Sequence, residues 1–307
     1  MRNSFTMTRA ATGAARQGRR RRVKLDMGLI MIVGVLSLWG FIILYPFYNA
    51  VLVSLVSEFH YIQNPLMLIP PEINFNAYRI VLSNEQIISG YLITIYAVVT
   101  GTTFNMILTV GMAYALTKRF PGRGIVLTMV IVIMFFDGGL IPTYLLIRNL
   151  GLIDNLLVYI FPTGFSPFYM FIVRAYFQSL PNSLEESAKI DGANELVILA
   201  RIILPMSLPV LATVTLFYAV QHWNQYFAGL IYIRDISKRP LQLVLRTIII
   251  GIEQVMDPNM PAELRENIFG EGVKMAAVVV TMAPVMFLYP FMQRYFMKGI
   301  TIGAIKG

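Results

Sequence analysis

The sequence predicts an all-α polytopic membrane protein with six transmembrane helices and with its N- and C-termini both cytoplasmic. Three observations predict it. The 307 residues are 57% hydrophobic and only 13% charged, with a mean hydropathy of +0.66, whereas an ordinary soluble domain carries about 25% charged residues. The apolar residues fall into six charge-poor runs near the length that crosses a hydrocarbon core about 30 Å thick. The basic residues gather on alternate connections between those runs.

In chain order, residues 1–26 form a basic segment containing Arg19, Arg20, Arg21, Arg22 and Lys24. Positive-inside anchoring explains it more simply than a nucleic-acid patch. A cleavable signal peptide fits poorly, because the apolar stretch after Asp26 far exceeds an h-region of about 7 to 15 residues. Uncharged stretches of 31 residues between Asp26 and Glu58 and of 32 between Glu85 and Lys118 make the first two spans, near 27–56 and 87–117. The third, near 124–147, is interrupted by Asp137 alone. Spans near 155–173, 205–228 and 275–293 complete a transmembrane domain over 27–298, and residues 299–307 form a short cytoplasmic tail.

One set of connections holds 17 of the 25 basic residues with five acidic ones and sums to +12; the other sums to −3. The first set includes both termini, the turn with Lys118, Arg119 and Arg123, and the segment from Arg174 to Arg201, so these are predicted to be cytoplasmic. In the outer connection 234–274, the apolar stretch Leu241 to Ile252 is too short to cross. It reads either as an interfacial or re-entrant helix or as a loop helix packed on the bundle.

The composition also excludes whole classes of chemistry. With no cysteine there is no disulfide, thiolate nucleophile or thiolate metal ligand, and His60 and His222 each lack a second ligand at metal spacing. No catalytic residue and no metal site is predicted.

The inner segment from Leu180 to Pro205 carries the strongest local signal. Ser183 followed by Glu186 reads as a capping box that starts a helix, and Gly192 allows a turn without a Cβ penalty before a second helix begins. Coupled short helices are therefore predicted over 181–201. The order Glu186, Ser187, Ala188, Gly192, Ile202, Leu204 and Pro205 resembles the EAA signature of permease subunits of binding-protein-dependent ABC importers. Asp191-Gly192-Ala193 is similar to the Asp-Gly-Ala variant common in sugar importers. Ser187 stands where that signature has alanine, and its small size preserves a close helix contact.

Further likeness lies in Gly138-Gly139-Leu140-Ile141-Pro142-Thr143-Tyr144, in the Trp223-Asn224 pair and in the tail from Gly299 to Gly307. These resemble the maltose-type carbohydrate permeases, and the Gly-Gly-Leu-Ile-Pro stretch most resembles the subgroup importing larger oligosaccharides, acidic ones included. The resemblance implies a multi-pass subunit of the bacterial plasma (inner) membrane, embedded in the lipid bilayer and paired with a second homologous permease. It also implies two ATP-binding subunits, an extracytoplasmic solute-binding protein and a carbohydrate substrate. Nucleic acid has no part in it. Glu186, Ser187, Ala188, Asp191, Gly192 and Ala193 would contact the ATPase. The chain lacks a Gly-rich phosphate loop with its Lys and Ser or Thr, so no cofactor is expected on it. ATP and Mg would be used by the partner subunits.

A sugar path needs hydroxyl-bonding groups beside aromatic faces, and Gln221, Trp223, Asn224 and Tyr226 cluster at the outer end of the fifth span. An interfacial aromatic belt is the competing reading, and it explains the two rings better than the two amides. Asp137 also has two readings. As an intramembrane carboxylate it marks a functional site; alternatively the Gly138-Gly139 break ends the helix and leaves Asp137 in water. A secondary transporter would show matched broken halves with several intramembrane ionisable groups, and a scaffold would need no docking segment.

Overall fold

A computed structural model of the chain describes residues 27–65, 67–255 and 269–304. All regular structure among these residues is helical. The basic segment 1–26, part of the outer connection (256–268) and the last three residues of the tail lie outside the described residues.

The first helix, α1, runs over Met27–Ser54. Its portion up to Phe47 forms a unit of its own, with Leu36, Trp39, Phe41 and Leu44 all exposed. A helix that is apolar on every side suits lipid rather than water.

In the second unit, α2 (Glu58–Gln63) and α3 (Asn76–Leu82) occupy the first long connection. A 31-residue helix over 85–115 follows, composed of α4 (Glu85–Tyr96), a π-helical turn (Ala97–Gly101) and α5 (Thr102–Ala115). Together with α1 and a C-terminal helix over Gly270–Ala304, it gives three helices among the described residues long and apolar enough to cross a membrane. The C-terminal helix continues past the predicted end of its span near 293 into the tail.

Two further runs are bent pairs. The third run consists of α6 (Arg123–Phe135) and α7 (Leu140–Asn149), which meet at 114°. The break falls on Phe136 to Gly139, where Gly139 adopts φ +81°, a conformation open to glycine. The fifth run bends by 85° before α12 (Leu208–Trp223). Counting each bent pair as one crossing gives five.

The fourth run departs from the predicted single helix over 155–173. A 3-10 turn at Leu156–Tyr159 is separated from α8 (Pro167–Ser179) by irregular chain containing Pro162 and Gly164. The apolar composition is there, but proline withholds a backbone donor and interrupts the helix. Pro167 then suits the first turn of α8, behind a Ser166 cap that accepts from the Tyr169 N–H at 3.5 Å. At 13 residues α8 is about 20 Å long, short of a full crossing.

Beyond α12 come α13 (Phe227–Tyr232), a 3-10 turn (Ile236–Lys238) and α14 (Leu241–Val255); the C-terminal helix is α15. Of the two readings of the Leu241 stretch, the structure shows a helix packed on the bundle. Leu241 and Val244 are buried with Ile87, Ala276 and Ala277, and Ile248 and Ile252 continue that stripe. Small residues such as Ala276 and Ala277 let helices approach closely, which matters where lipid removes the hydrophobic drive and packing contacts hold helices together. A second core joins α5, α6, α8 and α12 through Met170, Val173, Val214 and Tyr218.

Candidate functional site

The inner segment folds as two short helices about a glycine. α9 covers Asn182–Ile190 and α10 covers Glu195–Ile198, which continues through a π turn (Leu199–Ile203) into α11 (Leu204–Met206). Gly192 sits between them at φ +80°, and the Ala193 N–H closes on the Ala188 carbonyl at 2.9 Å. The expected Ser183 cap is not used. α9 begins two residues earlier, with Pro181 at the N-cap position and no side-chain cap. Asn194 does the capping instead, accepting from the Val197 N–H at 2.9 Å at the start of α10.

This elbow has two unlike faces. Inward, Ala188, Ile198 and Ile203 are buried against Tyr114 and Phe177. Lys118 pairs with Glu185 and, at 3.1 Å, with Glu195; Lys189 meets Glu195 at 2.9 Å. The Tyr114 hydroxyl donates to Glu195 at 2.6 Å and lies 3.1 Å from a Glu185 oxygen. The Tyr114 hydrogen bond, then Lys189 and Lys118, hold the Glu195 carboxyl down to about 2. Outward, Glu186, Ser187, Asp191 and Gly192 are exposed, and Ala193 is half-buried. Beside them Ile190 and Leu196 stand 87% and 76% exposed. A polar elbow that shows two large aliphatic side chains at its tip has the composition of a docking surface.

The second site lies at the far end of α12. That helix stops at Trp223, and Asn224 to Tyr226 turn the chain toward α13. A cavity of 550 Å³ opens there, lined by Asp137, Thr143, Gln221, Asn224, Gln225 and Tyr226 among others. Asp137 lies in the break between α6 and α7, exposed, with its carboxylate accepting the Gly139 N–H at 3.3 Å. The structure thus brings together Asp137, Gln221, Asn224 and Tyr226 of the predicted path residues. Trp223 points elsewhere. Its ring is buried, meets Tyr91 edge-on and donates its N–H to the Thr281 carbonyl at 3.3 Å. It borders a separate, largely apolar cavity of 760 Å³ with Phe217 and Tyr169, which Gln221 and Asn224 also reach.

His222 also lines the first cavity. Its Nε2 lies 2.8 Å from Asn105 Oδ1 and its Nδ1 lies 3.4 Å from Gln225 Oε1. The Asn105 amide also donates to the Thr163 carbonyl. The ring fits because Gly101, in the π-helical turn, has no side chain; a Cβ there would fall 2.5 Å from the imidazole. Neither this pairing nor the Lys118, Glu185 and Glu195 cluster has a local sequence signal, since the partners lie 117 residues apart in one case and about 70 in the other. No group of three metal-ligating side chains occurs among the described residues.

Residues 107–302 match the family of binding-protein-dependent transport system inner membrane components. The chain belongs to this family. It is therefore an ABC transport permease. Over 284 residues it is 38% identical to the polygalacturonan/rhamnogalacturonan transport system permease protein YtcP of Bacillus subtilis, covering 91% of this chain and 98% of that one. The protein LplC of the same organism is 39% identical over 275 residues, covering 87% and 91%. Among solved structures, a chain of a bacterial ABC transporter that imports the acidic polysaccharide alginate superposes with a TM-score of 0.79. It is 34% identical and covers 87% of the permease and 95% of itself.

Proposed function

We propose that this permease is one membrane-spanning half of an ATP-driven importer of acidic oligosaccharides. It would pair with a second permease and be driven by two ATPase subunits seated on the elbow. An extracytoplasmic binding protein would deliver sugar at the cavity end. The six apolar runs support six crossings, and the charge asymmetry supports both termini and the elbow being cytoplasmic in a bacterial plasma membrane. In that arrangement the fourth crossing is made of α8 and the irregular chain before it, whose Pro162 and Thr163 line the 550 Å³ cavity.

The observation that carries this reading is the position of the elbow on α12. The elbow is bound to the bundle by Lys118 and Tyr114 and leads through α10 and α11 directly into α12, whose other end bears Gln221, Asn224 and the turn to Tyr226. Movement of the elbow by a closing ATPase pair would thus pass through the 85° bend at Ser207 into α12 and on to the residues around the cavity, a route to alternating access. The chain itself holds no phosphate loop, so hydrolysis and Mg belong to the partner subunits. Sugar hydroxyls suit Gln221 and Asn224, and a ring face suits Tyr226. The polygalacturonan and alginate systems to which the permease is similar point to uronate-containing sugars.

The test is reconstitution. The complete complex in vesicles should accumulate galacturonate oligosaccharides only with ATP and the loaded binding protein, and its ATP hydrolysis should rise when that protein is added. Accumulation by this chain alone, or ATP hydrolysis indifferent to the loaded binding protein, would falsify the proposal.

A further inference from the structure

The outward face of α14 carries one cation and one amide in a largely apolar stripe. Gln242, Arg246, Ile249 and Ile250 recur at helical spacing on the side away from the core stripe of Leu241, Val244, Ile248 and Ile252. With Tyr226 and Leu245 they line a cavity of 460 Å³. Tyr226 also lines the 550 Å³ cavity around Gln221 and Asn224, so the two cavities adjoin at its ring. The Arg246 guanidinium lies 5.4 Å from the centre of that ring. It is exposed and makes no ion pair among the described residues. By contrast Lys118, Lys189, Lys238 and Lys274 all face carboxylates. A planar guanidinium held on an aromatic face keeps its N–H fork free for a bidentate partner.

We propose that Arg246, with Gln242 beside it, is a carboxylate-reading subsite that selects uronate over neutral rings as sugar passes Tyr226. The inference rests on the oligosaccharide reading above and adds the residue that senses charge. Its logic is electrostatic. Asp137, which lines the same cavity as Tyr226, repels a uronate, so a matching cation is needed near that ring. Arg246 is that cation, with Leu245, Ile249 and Ile250 lining the cavity around it. Lysine keeps the charge without the fork and is an incomplete substitute.

The experiment compares uptake of galacturonate tetrasaccharide with its fully methyl-esterified counterpart, in vesicles holding the complete complex and saturating binding protein. Esterification removes the charge and leaves the rings. Arg246→Gln should slow uptake of the acid by about ten- to hundredfold, the range of a lost charge-assisted bond. Uptake of the ester should change by less than about twofold, and Arg246→Lys should fall between wild type and Arg246→Gln on the acid. Equal losses on both sugars would make Arg246 a docking or structural residue and overturn the inference. So would no loss on either, or a wild-type complex that carries the ester as fast as the acid. A wild-type complex that carries neither sugar overturns the underlying oligosaccharide reading instead, and is distinguished from the other outcomes by the wild-type lanes alone.

Discussion

The two ends of α12 are built on opposite principles. At the elbow, two acids and two bases interlock with Tyr114, and the surface left outside is small, fixed and partly aliphatic. At the cavity, uncharged amides, hydroxyls and the aromatic residues Tyr226, Phe227 and Tyr232 converge from three stretches of chain, and the single carboxylate there, Asp137, sits on a bend. The difference follows from what each end must meet. A folded protein surface is met by a rigid patch whose shape is set in advance, whereas a ligand in passage must be held and then released, which favours weak polar contacts.

The largest effect is expected from breaking the elbow's outer face. Glu186→Ala combined with Gly192→Val removes the exposed carboxylate and forces a β-branched side chain into a left-handed conformation, a strain on the order of 1 to 2 kcal/mol. Uptake by the reconstituted complex should fall at least about tenfold, while the permease stays folded in the membrane and ATP hydrolysis loses its response to the binding protein. Full uptake in that double variant would show that the elbow does not transmit.

Next in size is the packing around His222 at the cavity. Gly101→Ala places a methyl group against the His222 imidazole, an overpacking that typically costs about 1 to 3 kcal/mol. The thermal midpoint of the purified permease should drop, whereas Gly111→Ala, at a glycine with open space around it, should leave it unchanged or slightly raised. Equal behaviour of the two variants would mean that the close fit of helix and imidazole contributes nothing.

The same contrast explains what could be read from the chain beforehand. Glu186, Ala188, Gly192 and Pro205 stand at fixed spacing within 20 residues, so the elbow is visible as a pattern. Its attachment is not visible, because Glu185 and Glu186 are neighbours in sequence yet about 100° apart around a helix. One is held by Lys118 while the other is exposed. Ser183 also shows the limit of a short motif: Pro181 opens α9 two residues earlier and the capping box goes unused. Hydropathy located the apolar runs, but it measures composition and not continuity. It therefore passed over the interruptions at Pro162 and Gly164 and left the bends at Gly139 and before α12 undetermined. In the cavity, the stop of α12 at Trp223 decides which side chains converge: Gln221, Asn224 and Tyr226 share a cavity and Trp223 turns into the core.

A smaller effect should come from the amides. Gln221→Ala removes a side chain that reaches both large cavities. One lost neutral hydrogen bond is about 1 kcal/mol, or roughly fivefold in rate. Uptake at saturating binding protein should slow by that order, with coupling to ATP intact. Loss of coupling instead would place Gln221 in the transmission path and blur the distinction between the two ends of α12.

The smallest effect at neutral pH, and the most diagnostic of how the elbow is held, concerns Glu195. Its carboxyl lies below the ordinary value of 4.5, at about 2, because Tyr114, Lys189 and Lys118 favour the charged form. A depressed carboxyl contributes its full stabilisation above 4.5 and loses it as pH falls toward 2. The ion pairs are half-exposed, and solvent screening keeps that contribution modest. Hydrogen exchange at the Ala193 N–H, which closes the elbow on Ala188, should therefore show constant protection from pH 7 to 5 and progressive loss between 4.5 and 2, after correction for intrinsic exchange. In Glu195→Gln the profile should be flat over that range, with the protection already reduced at pH 7. A pH-dependent loss that persists in Glu195→Gln would assign the hold to Glu185 instead, leaving Lys118 as the shared cation of a differently weighted clamp.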